Sequence, residues 1–358
     1  MSSFFSEKYS GLTPYTPGEQ PKDTYYVKLN TNESPFPPSP RAIEYASEEA
    51  GKLQLYSDPT CSNLVSTAAK YFGIDPDEIL FTNGSDEILN FAFMAFCDEK
   101  HPAVFPDITY GFYPVFAQLN NIPYEEIPLR SDFTVNTDDY TGIGKTIFIA
   151  NPNAPTGIAL PLKEIEKIVF SNPGSVVVVD EAYVDFGGES CVSLIHKYDN
   201  LLVTQTFSKS RSLAGGRLGM GIACKSLIRD LNTVKYSTNP YNVNRMTMAA
   251  GKGAFEDDAY MKANCNEIIR VREETEKELM SLGFVFTDSS ANFIFAKHPA
   301  YSGQTIYEEL RKRNVLVRHF SNPVITDYNR ITVGSETEMI ILIGKLKEIF
   351  NEVPEERK

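Results

Sequence analysis

No apolar run in this sequence approaches the ~20 residues needed to cross a bilayer, and its polar start, Met1-Ser2-Ser3, carries no signal-peptide pattern. An excess of positive charge is equally missing. The net charge of −13 weighs against a general binder of nucleic acid or of an anionic membrane, while leaving room for a local basic pocket. Cysteine is sparse and scattered. Cys61, Cys97, Cys191, Cys224 and Cys265 show neither metal-ligand spacing nor an even disulfide framework, and they read as reduced thiols of a cytoplasmic protein. The four histidines are dispersed too, which leaves no zinc signature and no metal site to expect. Internal repeats and low-complexity stretches are absent. What survives these exclusions is a cytoplasmic globular protein, most simply an enzyme.

The 358 residues, 42% hydrophobic and 23% charged, suit two lobes or one large α/β domain with an appendage. Residues 1–40 are rich in Pro, Thr and Asn, and proline excludes a long helix there. The interleaved Phe4, Phe5, Tyr15, Tyr25, Tyr26 and Phe36 suggest an arm that packs on a surface or on a partner subunit. Helices are expected over Arg41 to Gln54 and over Ser62 to Phe72, the latter stopped by Gly73. Strand and helix signals then alternate. Apolar runs at Ile79 to Thr82, Ala103 to Phe105, Ile122 to Ile127, Thr146 to Ala150, Val176 to Val179 and Leu201 to Thr206 read as strands. Such alternation argues for a mostly parallel sheet covered by helices on both faces, with ligands at the carboxyl ends of the strands. After Gly221 three helices are expected, Lys225 to Tyr236, Val243 to Phe255 and Asp258 to Leu282. A smaller α/β lobe follows. The expected division is an arm over 1–40, a large lobe over 41–255 and a small lobe over 256–358.

The loops at those strand ends carry the chemistry. Asp180-Glu181-Ala182-Tyr183 closes the valine strand, Phe207-Ser208-Lys209 follows the next, and Arg217 comes eight residues later. Taken singly, Lys209 would read as a solvated charge and Asp180 as a cap or turn residue. Together they fit a site for pyridoxal phosphate (PLP). A lysine condenses with the aldehyde, a carboxylate keeps the pyridine ring protonated, and an arginine takes the phosphate as a planar cation. Asn83-Gly84-Ser85-Asp86 adds a glycine turn opening a helix, which either presents free N–H groups to an anion or is an ordinary N-cap.

These motifs, with Leu29-Asn30-Thr31-Asn32-Glu33, Leu213-Ala214-Gly215 and Pro240-Tyr241-Asn242-Val243-Asn244, resemble the fold type I PLP-dependent enzymes of the aspartate-aminotransferase superfamily. More narrowly they resemble the histidinol-phosphate aminotransferase family, over nearly the whole chain. The resemblance implies an α/β homodimer with a shared active site. It implies amino transfer between L-histidinol phosphate and 2-oxoglutarate, giving imidazole-acetol phosphate and glutamate. By position, it makes Lys209 the Schiff-base lysine and proton shuttle, Asp180 the partner of the pyridine nitrogen and Tyr183 that of the ring O3′. Tyr110 would stack on the ring. Ser85, Asp86 (through its N–H), Thr206, Ser208 and Arg217 would hold the phosphate, with Tyr56 reaching it from the neighbouring subunit. Arg318 and Arg330 would bind the anionic end of the substrate, helped by Tyr15 and by Tyr241 or Asn32. One position departs from the pattern: Ala154 stands where the superfamily has an asparagine bonded to O3′, so Tyr183 alone or the adjacent Asn153 is left for that bond. Related readings of the same motifs are an aromatic-amino-acid aminotransferase and a threonine-phosphate decarboxylase. A PLP-binding regulatory domain would need a DNA-binding module for which the chain has no room.

Overall fold

Seven short strands form the central sheet of the computed structural model, which describes residue 2, residues 4–22 and residues 24–356. Their spatial order is Ile79–Thr82, Gly219–Ala223, Leu201–Thr206, Val177–Asp180, Thr146–Ala150, Ala103–Pro106 and Tyr124–Ile127. Four of the six junctions are parallel, and both junctions of Gly219–Ala223 are antiparallel. The inner strands are buried along their whole length, which is why their sequences are continuous apolar runs rather than alternating ones. The edge strand Tyr124–Ile127 is largely exposed and carries Glu125 and Glu126, charges that discourage further pairing.

Gly219–Ala223 was not expected as a strand. Its sequence, Gly-Met-Gly-Ile-Ala, has little β propensity, and each glycine answers a close approach. A Cβ on Gly219 would collide with the Ser85 N–H and the Gly84 carbonyl group, and one on Gly221 would press on the Ile88 side chain at 3.2 Å. Other differences are at element ends. The first helix is Pro40–Ala50, ending four residues before Gln54, with the Ser39 hydroxyl accepting from the Ala42 N–H. The helix expected from Val243 begins at Arg245, because Asn244 caps it by accepting from the Thr247 N–H at 2.9 Å.

The C-terminal residues build a second, antiparallel sheet in the order Arg318–His319, Tyr328–Thr332, Phe293–Lys297, Val285–Phe286. Helices Asp258–Ser281, Gly303–Lys312 and Glu336–Glu352 contribute to the same core. Two segments from elsewhere enter it. Val27–Lys28 pairs parallel with Val315–Leu316, bringing Val27 and Leu29 inside, and Ala154 and Tyr183 join from the loops at the ends of the central strands. No helix among the described residues is long and apolar enough to cross a membrane.

Candidate active site

The helix Ser85–Phe96 starts directly after a strand, with Gly84 at its N-cap in a left-handed conformation, φ +78°, and no side-chain cap. Its first N–H groups therefore point outward without a capping oxygen, at the positive end of the helix dipole. Arg217 lies against this turn: a Cβ on Gly84 would stand 2.6 Å from its Nη2. The Arg217 guanidinium donates to Asp86 Oδ2 at 3.0 Å, and the Tyr110 hydroxyl donates to Asp86 Oδ1 at 2.7 Å. Thr206, ending its strand, donates to Ser208 Oγ at 3.0 Å and accepts from the Ser208 N–H at 3.2 Å.

Asp180 is the last residue of its strand. Its carboxylate accepts from Tyr113 Oη at 3.2 Å and from Thr204 Oγ1 at 3.3 Å. Burial pushes its carboxyl up to about 6, with the Asp86 charge adding and the two hydroxyl donors opposing. Lys209 shows the mirror effect: burial first, then the Arg330 cation, lowers its ammonium to about 8. Its Nζ donates to the Thr31 carbonyl at 3.2 Å and stands 5.8 Å from the Tyr183 ring centroid. The Tyr183 hydroxyl accepts from Asn32 Nδ2 at 2.9 Å.

One cavity of about 470 Å³ collects Ser85, Asp86, Tyr110, Asp180, Tyr183, Thr206, Ser208, Lys209 and Arg217. Asn153 is not among its walls. Its Nδ2 donates to the Ile108 carbonyl at 2.9 Å and to Thr156 Oγ1 at 3.1 Å, its Oδ1 accepts from Thr109 at 2.8 Å, and it lines a separate cavity. Its amide is thus fully engaged elsewhere, and Ala154 is the residue on the wall. Asn32 and Arg330 are not among the cavity-lining residues, though Asn32 holds the Tyr183 hydroxyl and the Arg330 charge acts on Lys209. Arg330 donates to the Asn30 carbonyl at 3.2 Å, and its Nε is buried without a hydrogen-bond partner. Arg318 donates to the Thr16 and Pro17 carbonyls, and Tyr15 stacks on Phe112 at 4.2 Å. Tyr56 and Tyr241 lie outside the cavity, stacked on each other at 4.7 Å, and Tyr56 is 81% exposed. Gln20, Thr31 and Glu33 also line the cavity and Tyr113 bonds Asp180 from behind, positions that no sequence motif marks as part of the site. Thr31 and Glu33 fell within a motif already singled out, but nothing local marks them as facing a site three hundred residues of chain help to close.

A parallel-centred α/β sheet with a lysine, a carboxylate and an anion-ready helix terminus at its strand ends defines a class. The chain belongs to the family described as aminotransferase class I and II, whose model matches residues 24–346. Within that class it is similar to the histidinol-phosphate aminotransferase of Brachyspira hyodysenteriae, 47% identical over 98% of this chain and 99% of the relative. It is 46% identical to that of Clostridium acetobutylicum over 97% and 99%. Among solved structures, the Sinorhizobium meliloti histidinol-phosphate aminotransferase in complex with pyridoxal-5′-phosphate superimposes with a TM-score of 0.85, covering 92% of each chain at 21% identity. At that identity the likeness speaks for the fold.

Proposed function

We propose that this chain is a PLP-dependent aminotransferase moving an amino group between L-histidinol phosphate and 2-oxoglutarate, giving imidazole-acetol phosphate and glutamate. The observation that carries the reaction type is the gathering of Lys209, Asp180, Arg217 and an uncapped helix N-terminus in one cavity. The full-length similarity to histidinol-phosphate aminotransferases carries the substrate.

The residues fit the cofactor on three counts. Arg217 sits where a Cβ on Gly84 would intrude, beside free N–H groups, so a phosphate finds a cation and backbone donors in one cradle. Asp180 is a buried acceptor whose two hydroxyl donors leave it able to take a further N–H. Lys209 is a half-buried amine with its proton loosened. Bound there, PLP supplies the aldehyde and the electron-accepting ring on which an amino group is carried. Lys209 Nζ holds and moves the proton, and a lowered ammonium value puts a useful fraction of neutral amine within reach of neutral pH. Asp180 holds a ring N–H as its carboxylate. Tyr183, oriented by Asn32, offers a hydroxyl to the ring oxygen, and Tyr110 offers its ring face. Ser85, the Asp86 N–H, Thr206, Ser208 and Arg217 take the phosphate. Arg330 and Arg318 take the anionic end of either substrate, which lets one cationic pair serve a phosphate and a carboxylate, with Tyr15 alongside. Asn153 is left out of this assignment because its amide is already satisfied.

We also read the protein as a cytoplasmic homodimer whose subunits complete one another. Tyr56, Tyr241, Leu53, Leu55 and Tyr236 are exposed apolar groups on the cofactor-binding lobe. A second copy covering them would bury an otherwise unfavourable surface and could bring Tyr56 to its neighbour's phosphate site. The five free, buried cysteines suit a reducing compartment. The lobe division at 41–255 and 256–358, with 1–40 as an arm tied to the small lobe through Val27 and Leu29, belongs to the same reading.

The test is a single half-reaction. Cofactor-loaded protein is mixed in turn with L-histidinol phosphate, phenylalanine and threonine phosphate while the cofactor absorbance is followed. Rapid change with histidinol phosphate, reversed by 2-oxoglutarate, is the expected result. A faster response to phenylalanine would reassign the enzyme to aromatic amino acids, and carbon dioxide release from threonine phosphate would make it a decarboxylase.

A further inference from the structure

Three side chains of the arm close a ring on one edge of the cavity. The Lys28 ammonium donates to the Thr31 hydroxyl at 2.9 Å and to the Glu33 carboxylate, and the Thr31 hydroxyl donates to the same Glu33 oxygen at 2.9 Å. The turn they enclose contains Asn32 in a left-handed conformation, φ +55°. Its other side is pinned to the small lobe. The Asn32 N–H donates to Thr332 Oγ1 at 2.9 Å, the Thr332 hydroxyl donates to Asn32 Oδ1 at 3.1 Å, and Asn292 Nδ2 donates to the Asn32 carbonyl at 3.1 Å. From this one turn come the Thr31 carbonyl that receives Lys209 Nζ and the Asn32 amide that holds the Tyr183 hydroxyl.

We propose that Glu33, acting with Lys28 and Thr31, is a positioning residue for the reaction: the ring holds the turn that orients Lys209 and Tyr183, and the Glu33–Lys28 pair sets the charge felt by the Lys209 nitrogen. This rests on the functional reading given above. Several charged groups act on Lys209. Arg330 and Arg217 disfavour its cationic form, while Glu33 and Asp86 favour it. Glu33 lines the cavity and stays ionised at neutral pH. Burial works against its charge, but the Lys28 and Thr31 hydrogen bonds outweigh burial and hold the carboxyl below the usual range. A partly exposed ion pair of this kind contributes little to folding, so its worth lies in where it puts charge and backbone.

Two substitutions separate charge from scaffolding. In cofactor-loaded enzyme, the pH midpoint of the bound cofactor's absorbance change and the pH profile of kcat/KM are measured for wild type, Glu33→Gln and Lys28→Met. Glu33→Gln removes an anion near Lys209 and moves the midpoint down by roughly 0.5–1 pH unit, whereas Lys28→Met leaves that anion uncompensated and moves it up. Simple loosening of the turn would move both in the same direction. Glu33→Asp, which keeps the charge, restores most of the wild-type midpoint. Shifts of one sign in both variants, or no shift in either, overturn the proposal. A wild-type protein that binds the cofactor without any pH-dependent change overturns it together with the functional reading, whereas a normal wild-type titration with unmoved variants overturns the positioning role alone.

Discussion

The wall of the cavity made by strand ends and the wall made by the arm reach the same space by different routes. On the first, Asp180, Thr206, Ser208 and Lys209 sit within a few residues of adjacent parallel strands, and the sheet places them side by side. On the second, the turn that carries Thr31 and Glu33 is held at Asn32 by Thr332 and Asn292, three hundred and two hundred and sixty positions away in sequence. On the proposed reading, the strand-end wall holds the groups that handle protons and the cofactor. On the same reading, the arm wall holds the groups that orient them. The division suggests that damage to the first should abolish turnover, while damage to the second should tune it.

The strongest way to break the comparison is at Lys209. Lys209→Ala should lower kcat by at least ~10⁴-fold, because on the proposed reading it removes both the covalent anchor and the proton carrier. Steady-state rates with L-histidinol phosphate measure it, and near-normal turnover would refute the role. Asp180→Asn keeps the shape but not the anion. A loss of about 10²–10³-fold in kcat is expected, as for removal of one preorganised charge partner. On the arm wall, Thr332→Val removes the hydroxyl that both accepts from and donates to Asn32. At about 1 kcal/mol per net hydrogen bond, the two bonds lost amount to about 2 kcal/mol, and kcat/KM should fall by no more than ~30-fold. A loss as large as that of Asp180→Asn would erase the distinction between the walls.

The smallest expected effect on activity is at Glu181, next to Asp180 but turned away from the cavity. Its carboxylate accepts from Ser190 Oγ at 2.7 Å, the Cys191 N–H at 2.5 Å and Gln205 Nε2 at 2.8 Å, and burial nevertheless pushes it up to about 7. A raised carboxyl means that the folded state binds more protons than the unfolded one between about 4.5 and 7. Its contribution to stability is therefore present below the unfolded value and is lost as pH rises through the folded one. Thermal unfolding between pH 5 and pH 8 should show wild type losing stability relative to Glu181→Gln as pH rises, with activity little changed. A variant whose melting temperature tracks wild type at every pH would show that Glu181 titrates as in solution.

Most strands of the central sheet were legible because strands buried on both faces must be apolar throughout, and the loops after them carry recognisable polar motifs. Gly219–Ala223 was not, since its glycines answer to Ser85 and Ile88 rather than to any local preference. The gathering of Ser85, Asp180 and Lys209 followed from the topology, because strands running in one direction bring their carboxyl ends to one edge, whereas Arg217 reaches that edge at the start of the antiparallel Gly219–Ala223. Asn153 shows the limit. Sequence left it as a candidate to replace the missing asparagine, yet its neighbours Ile108, Thr109 and Thr156 claim its amide.

By itself, then, the amino-acid sequence determined most of the order of strands and helices, the residue types at those strand ends and the chemistry those types allow, all properties of short-range pattern. Tertiary structure alone decided which of two adjacent residues, Asn153 or Ala154, faces the cavity. It alone brought the turn at Asn32 against Thr332, and it lowered Lys209 while raising Asp180. Those outcomes depend on burial and on charges brought close by folding, and neither desolvation nor a contact across three hundred residues is written in any local stretch of the chain.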